Sequence, residues 1–365
     1  MSDNANPILP SQIASRVLAL SVPDTGATLA ELGRVERVSI AQGKVELLLE
    51  LAIPAQRLEQ ALSEAIWDAI KDLPGVEQVA VEIGWTIEAG PVIDASAAIP
   101  NVKNIVAVAS GKGGVGKSTT AINLALALKA EGAVVGVLDA DIYGPSIPAL
   151  LGVGGQRPAV DGQKMVPIEA HGLYSISMGY LVTEQTPMVW RGPMASGALQ
   201  QLLQQTAWPE LDYLIIDMPP GTGDIQLTLS QKVPVTGSVV VTTPQDIALL
   251  DAKKGIEMFR KVHVPVLGVI ENMATHICTN CGHEEHIFGE GGGERIARDY
   301  QTQLLGALPL DLSIRQQADA GCPTVAADPD SDLSMLYRVI AIKVAAELAK
   351  LAQQTSAPLI QTTDD

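Results

Sequence analysis

A chain of 365 residues with 47% apolar side chains is too long for one small domain and can bury the cores of two. Its net charge of −17 argues against broad electrostatic binding to nucleic acid or anionic membranes, and an aromatic content of 3% leaves few platforms for stacking bases. Three cysteines, Cys278, Cys281 and Cys322, are an odd, low count that fits a reducing compartment. The N-terminus has no basic region followed by an apolar core, and no apolar run approaches the ~20 residues that span a bilayer, so a cytoplasmic location is expected.

Residues 1–85 read as a small α/β module. Helical spacing covers 13–20 and 58–73, and strands are expected over 35–40, 44–51 and 76–83, the first two around Ala41-Gln42-Gly43. Residues 86–103 hold a glycine, two prolines and many small side chains and read as a linker. From 104 to 352 strands alternate with helices. Apolar runs at 105–109, 134–138, 213–216, 239–241 and 266–270 look buried on both faces, the signature of a doubly wound, mostly parallel sheet. A closing helix is expected over 336–351, and residues 353–365 form a polar tail expected to be disordered.

The most informative segment follows the 105–109 run. Gly111-Lys112-Gly113-Gly114-Val115-Gly116-Lys117-Ser118 reads G-x-x-x-x-G-K-S, the phosphate-binding P-loop, and the helix expected over 119–129 aims its positive end at the same phosphates. Backbone amides of the loop form the anion-binding concavity; Lys117 reaches the β- and γ-phosphates and the Ser118 hydroxyl ligates Mg²⁺. Gly111, Gly113 and Gly116 also spell the dinucleotide fingerprint G-x-G-x-x-G, with Asp139 downstream. Lys117-Ser118 decides against that reading, because a dinucleotide loop needs neither a lysine nor a magnesium ligand there.

Acids follow the later strands. Asp139 and Asp141 leave the sheet on the ligand side, so either can orient water or a magnesium ligand; the plainer reading is a cap or turn acid, and the same holds for Asp224. Asp217, at the end of Leu214-Ile215-Ile216, reads as the magnesium-holding acid of a nucleotide site. The glycines after it, Gly221 and Gly223, suit a γ-phosphate-sensing switch. Cys278-Thr279-Asn280-Cys281 sets two thiolates on one tight loop, with His276, His283 and His286 close by. Two thiolates underfill a four-ligand site, which leaves three readings open: a cluster shared across a symmetric dimer, a zinc site completed by two histidines, or a redox or inert pair. Cys322 reads as a small turn residue, and His171 and His263 as surface or satisfied core residues.

Taken together, the segments GKGGVGKSTTAINLA from 111, DADIYGPSIP from 139, WRGPM from 190, LIIDMPPGTGD from 214, TTPQDIALLDAKKG from 242, ENMA from 271 and CTNCGHEEHIFGEGGGE from 278 resemble the Mrp/ApbC family of iron–sulfur cluster carrier ATPases. That family lies within the deviant-Walker-A class that includes MinD and ParA. Residues 8–83 resemble the MIP18-type module often fused ahead of it. The resemblance implies a weakly hydrolysing ATPase that acts as a homodimer, passes a cluster from scaffold proteins to apo iron–sulfur clients, and uses ATP, Mg²⁺ and a 4Fe-4S cluster. It further implies that Lys112 reaches the phosphates of the opposite subunit, Asp141 positions the attacking water, Asn272 sits near the adenine, the loop through Thr119 contacts the nucleotide, and Cys278 and Cys281 of both subunits bridge the cluster. The N-terminal module of the family often carries a cysteine after its second strand; Ile53-Pro54-Ala55-Gln56 has none, so a docking role is expected for it.

Overall fold

The computed structural model describes residues 9–91, 98–181, 192–278 and 280–356. Trp190 and Arg191 of the WRGPM segment, Thr279, part of the linker and the tail from residue 357 lie outside the described residues. The chain divides into two compact units, Met1–Glu88 with Ala345–Asp365, and Ala89–Val344.

The first unit runs α1 (Pro10–Leu18), α2 (Leu29–Leu32), β1 (Gly33–Ala41), β2 (Lys44–Leu51), α3 (Glu59–Ile70) and β3 (Gln78–Trp85). β1 and β2 are antiparallel and meet at Ala41↔Lys44; Gln42 and Gly43 both take positive φ, at 50° and 79°, the pairing a tight two-residue hairpin turn demands. β3 adds parallel to β2 after the α3 crossover. Val45, Leu47, Leu49 and Leu51 alternate inward on β2, and α3 buries a stripe of Leu62, Ile66 and Ile70 spaced by four. α3 is shorter than its apolar spacing predicts because Pro74 draws Leu73 out of helical geometry, and Gly75 at φ 82° turns the chain. α1 starts three residues early, at Pro10, a residue suited to the first helical position.

The second unit runs β4 (Val102–Ala109), α4 (Lys117–Ala130), β5 (Val135–Asp139), α5 (Ile147–Leu150), β6 (Val160–Asp161), β7 (Lys164–Met165), β8 (Ile168–Ala170), β9 (Leu173–Ser177), α6 (Gly192–Gln205), β10 (Leu211–Asp217) and α7 (Asp224–Lys232). It continues with β11 (Gly237–Thr242), α8 (Asp246–Lys261), β12 (Val266–Glu271), β13 (His276–Ile277), β14 (Glu284–Glu285), α9 (Gly292–Asp299), β15 (Leu304–Ala307), α10 (Leu312–Asp319), α11 (Thr324–Ala327) and the first part of α12 (Asp332–Ser356), whose residues from Ala345 on belong to the first unit. Eight strands form one sheet in the order β15-β12-β11-β4-β10-β5-β9-β8, parallel except for the β8–β9 edge pair. The sheet grows from β4 in both directions, so its strand order reverses beside the first strand, where parallel α/β sheets open a ligand crevice.

The central strands are buried on both faces, and α4 is buried all round from Thr120 to Leu128. The closing helix is longer at both ends than its apolar run predicts and carries Gln353, placed in the tail by the sequence, within its last turns. β4 begins at Val102, inside the expected linker.

Candidate nucleotide site and cysteine hairpin

The P-loop lies between β4 and α4, at the carboxyl end of the sheet. Gly114 and Gly116 take φ of 83° and 80°, the left-handed region that favours glycine, and Gly116 caps α4. A Cβ on Gly116 would lie 2.2 Å from Asn272 Nδ2, and one on Gly111 would lie 2.2 Å from the Asp251 carbonyl carbon, so both glycines are also required by close approach. The loop is held from several sides. Ser110 Oγ donates to Lys112 O at 2.9 Å, Asn272 Nδ2 donates to Val115 O at 2.8 Å, and Gly221 N–H, after β10, donates to Ser110 O at 3.1 Å.

Lys117 is buried and forms an ion pair with Asp217, which is fully buried at the end of β10. Lys117 Nζ also donates to Ser118 Oγ at 3.2 Å. Burial pushes the Asp217 carboxyl up, against the opposing pull of Lys117, and its Oδ2 is buried with no hydrogen-bond partner among the described residues. Parallel register sets Asp217 beside Asp139 of β5. Asp139 is buried and accepts from Ser177 Oγ at 3.0 Å and from the N–H groups of Asp141 and Ile147, each at 3.1 Å. Burial first, and the charge of Asp217 second, push its carboxyl up to about 7. Two buried carboxyls thus lie side by side with an ammonium paired to Asp217 alone, a donor set short of positive charge. An oxygen-seeking divalent cation beside a polyphosphate fits that set.

Asp141 is half-buried at the head of the loop after β5, and its Oδ1 accepts Gly144 N–H at 3.2 Å. Lys112 is half-buried and makes no ion pair or side-chain hydrogen bond among the described residues. Asp224 opens α7. The structure therefore brings Gly111–Thr119, Asp139, Asp217 and Asn272 together. The sequence reading missed Ser177 and Asp251; Asp251 is legible only as a residue of α8 whose backbone abuts Gly111.

Cys278 and Cys281 sit on a separate feature. β13 and β14 pair antiparallel with two rungs, His276↔Glu285 and Ile277↔Glu284, and the cysteines lie in the loop between them. Gly282 N–H donates to Cys278 O at 2.8 Å with Gly282 at φ 71°, and Cys278 N–H donates back to His283 O at 2.9 Å. Cys281 is exposed and Cys278 half-buried. Hydrogen bonds from the Asn280 and Cys281 backbone N–H groups lower the Cys278 thiol below its ordinary value. His276 Nδ1 lies 3.1 Å from Leu310 O and His286 Nδ1 lies 3.1 Å from Ala274 O, so both rings are tied to backbone carbonyls. Among the described residues no three His, Cys, Asp or Glu side chains cluster closely enough to hold a metal ion, and the histidine-completed zinc site is not assembled. Cys322 follows Gly321, at φ 72°, in the turn after α10.

A glycine-rich loop between a buried parallel strand and a helix, with Lys117-Ser118 at the helix start and Asp217 on the adjacent strand, defines a P-loop NTPase. Within that class, residues 101–345 match the model of the NUBPL iron-transfer P-loop NTPase, and the chain belongs to that family. Residues 19–83 match the model described as iron-sulfur cluster assembly protein. The chain is 63% identical over 276 residues to the iron-sulfur cluster carrier protein of Pseudomonas fragi, covering 75% of this chain and 96% of that protein. It is 51% identical over 354 residues to that of Haemophilus influenzae, covering 95% and 94%. An Archaeoglobus fulgidus nucleotide-binding protein solved with ADP aligns with TM-score 0.56 and 36% identity, covering 64% of this chain and 91% of that one. The MinD cell-division ATPase of Pyrococcus furiosus shares the fold, at TM-score 0.52 and 23% identity over 68% and 99% of the two chains. Among the described residues no helix is long and apolar enough to cross a membrane.

Proposed function

We propose that this chain is an ATP-dependent carrier that holds a 4Fe-4S cluster between two copies of itself and hands it to apo iron–sulfur proteins. The observation that carries the reading is the two-cysteine hairpin, with Cys281 exposed, Cys278 half-buried and no third ligand among the described residues, in the same unit as a P-loop. Two such hairpins related by a two-fold axis supply the four thiolates a cubane cluster takes. The names of the relatives support the same cargo.

In this reading the amides of Gly113–Ser118 and the ammonium of Lys117 bind the phosphates, and Asn272 lies against the nucleotide end of the loop. Ser118 Oγ and the Asp217 carboxylate would hold Mg²⁺, which would supply charge neutralisation at the phosphates. Asp141 orients the attacking water, held in place by the loop that Asp139 anchors through the Asp141 and Ile147 N–H groups. Lys112, without an ion pair in its own chain's described residues, reaches the phosphates of the partner copy. Hydrolysis alters the relative stability of dimer geometries only through a difference in ATP affinity between them. The cluster is cargo and takes no part in the hydrolytic step. The N-terminal module, without a cysteine near Pro54, docks partners and does not hold the cluster itself. Protein location is cytoplasmic, and nucleic acid and membrane are not partners.

The test is anaerobic reconstitution with iron and sulfide, read by absorbance and Mössbauer spectroscopy, followed by transfer to an apo-acceptor. A 4Fe-4S signature lost in Cys278→Ala is expected. A signature that survives in that variant, or none in the parent, sinks the carrier reading.

A further inference from the structure

Asn272 and Met273 sit directly on the last turn of the P-loop. The Asn272 side chain is buried and donates to Val115 O at 2.8 Å, while its main-chain N–H donates to Thr242 O at 2.7 Å and fixes it to β11. A Cβ on Gly116 would meet Asn272 Nδ2 at 2.2 Å and Met273 Cε at 3.9 Å, so both side chains cover that residue. The Val115–Gly116 peptide is planar. Its C=O and N–H point to opposite sides, and turning one turns the other. Aiming the Gly116 N–H into the phosphate cradle therefore aims Val115 O toward Asn272: phosphate binding and the Asn272 hydrogen bond select one orientation of the same plane.

Beyond Asn272 the chain goes straight to the cysteines. Met273 has φ 57°, a left-handed conformation that a non-glycine residue holds only where its surroundings impose it. Ala274 N–H then donates to Leu308 O at 2.9 Å, Leu310 N–H donates to Thr275 O at 2.7 Å, and the His286 ring closes on Ala274 O at 3.1 Å. The hairpin is thus fastened to the segment that Met273 orients, and Cys278 follows five residues after that pivot.

We infer that the Asn272–Met273 step is the mechanical link through which occupancy of the P-loop is felt at the Cys278/Cys281 hairpin. The inference rests on the reading that the loop binds nucleotide and the hairpin carries cargo. Phosphate in the loop holds the Val115 carbonyl on Asn272, Asn272 holds Met273 in its left-handed turn, and the turn holds the hairpin. Linkage makes the effect reciprocal: whatever fixes the hairpin tightens nucleotide binding by the same factor.

The experiment needs no cluster. In a Cys322→Ser background, the rate at which a maleimide alkylates Cys278 and Cys281 is followed by mass spectrometry with and without Mg²⁺ and a saturating non-hydrolysable ATP analogue. The parent is expected to slow by about fivefold or more when the analogue binds. Met273→Gly, which frees the pivot and uncovers Gly116 but touches no phosphate, is expected to bind the analogue and to bring the ratio to about one. A parent ratio of one with the analogue bound, or a Met273→Gly variant that keeps the parent ratio, overturns the link. Either result leaves the carrier reading to its own reconstitution test, so the two failures are distinguishable.

Discussion

Replacing Asp217 with leucine isolates the electrostatics of the nucleotide site in the ligand-free protein. Lys117 and Asp217 are 7% and 0% exposed, so the variant strands an ammonium where water cannot reach it. Breaking such a pair from one side costs about 3–5 kcal/mol. Removing Asp217 also relieves Asp139 of a like charge, but burial is the larger cause of the Asp139 shift, so this returns the smaller part. The expected outcome is a drop in Tm of roughly 6–20 °C for a unit of this size, measured by calorimetry. The double variant Lys117→Met/Asp217→Leu should regain most of the loss. An unchanged Tm, or a double variant no more stable than Asp217→Leu alone, would refute the picture of a buried, mutually dependent pair.

Asp139→Asn tests the second carboxylate. An acid raised from 3.8 to about 7 stabilises least above pH 7: the parent loses stability as pH rises from about 4 to 7, by at most roughly 4 kcal/mol, and the asparagine variant does not. Urea unfolding of both proteins between pH 4.5 and 8 should show their difference growing with pH; a constant difference contradicts it. Gly116→Ala combines a left-handed φ of 80° with a Cβ 2.2 Å from Asn272 Nδ2, so it should destabilise the unit by about 2 kcal/mol or more. Calorimetric titration should also show ATP binding weakened at least about tenfold, the equivalent of about 1.4 kcal/mol. Gly114→Ala shares the φ but meets nothing within 4 Å, and should lose less.

The P-loop was legible because its chemistry is local: a run of glycines, a lysine and a serine in consecutive positions between an apolar strand and a helix. Asp217 was legible for the same reason, as an acid closing a buried strand. What could not be read is the pairing that crosses the sheet. Asp139 and Asp217 lie 78 positions apart and become neighbours only because β10 inserts between β4 and β5. Ser177 joins them from β9, a five-residue strand too short for its apolar pattern to single it out. The Asn272–Val115 bond spans 157 positions and carries no sequence signal beyond the segment ENMA. Helix ends slipped where backbone chemistry outweighed apolar spacing, at Pro10 and at Leu73-Pro74.

The cysteine hairpin has only two rungs, far below what holds a hairpin together in water by itself. Its shape is imposed by the His276 and His286 tethers to Leu310 and Ala274 at its base. Such an element opens on its own, at a small fraction of the free energy that would melt the eight-stranded sheet. Amide protons at Cys278 and Gly282 should therefore exchange with solvent far sooner than those of Val269 and Ile270 in β12, a few residues upstream. One chain thus carries two grades of permanence, a sheet that endures and a thiol loop that can be remade at each encounter without the sheet taking notice.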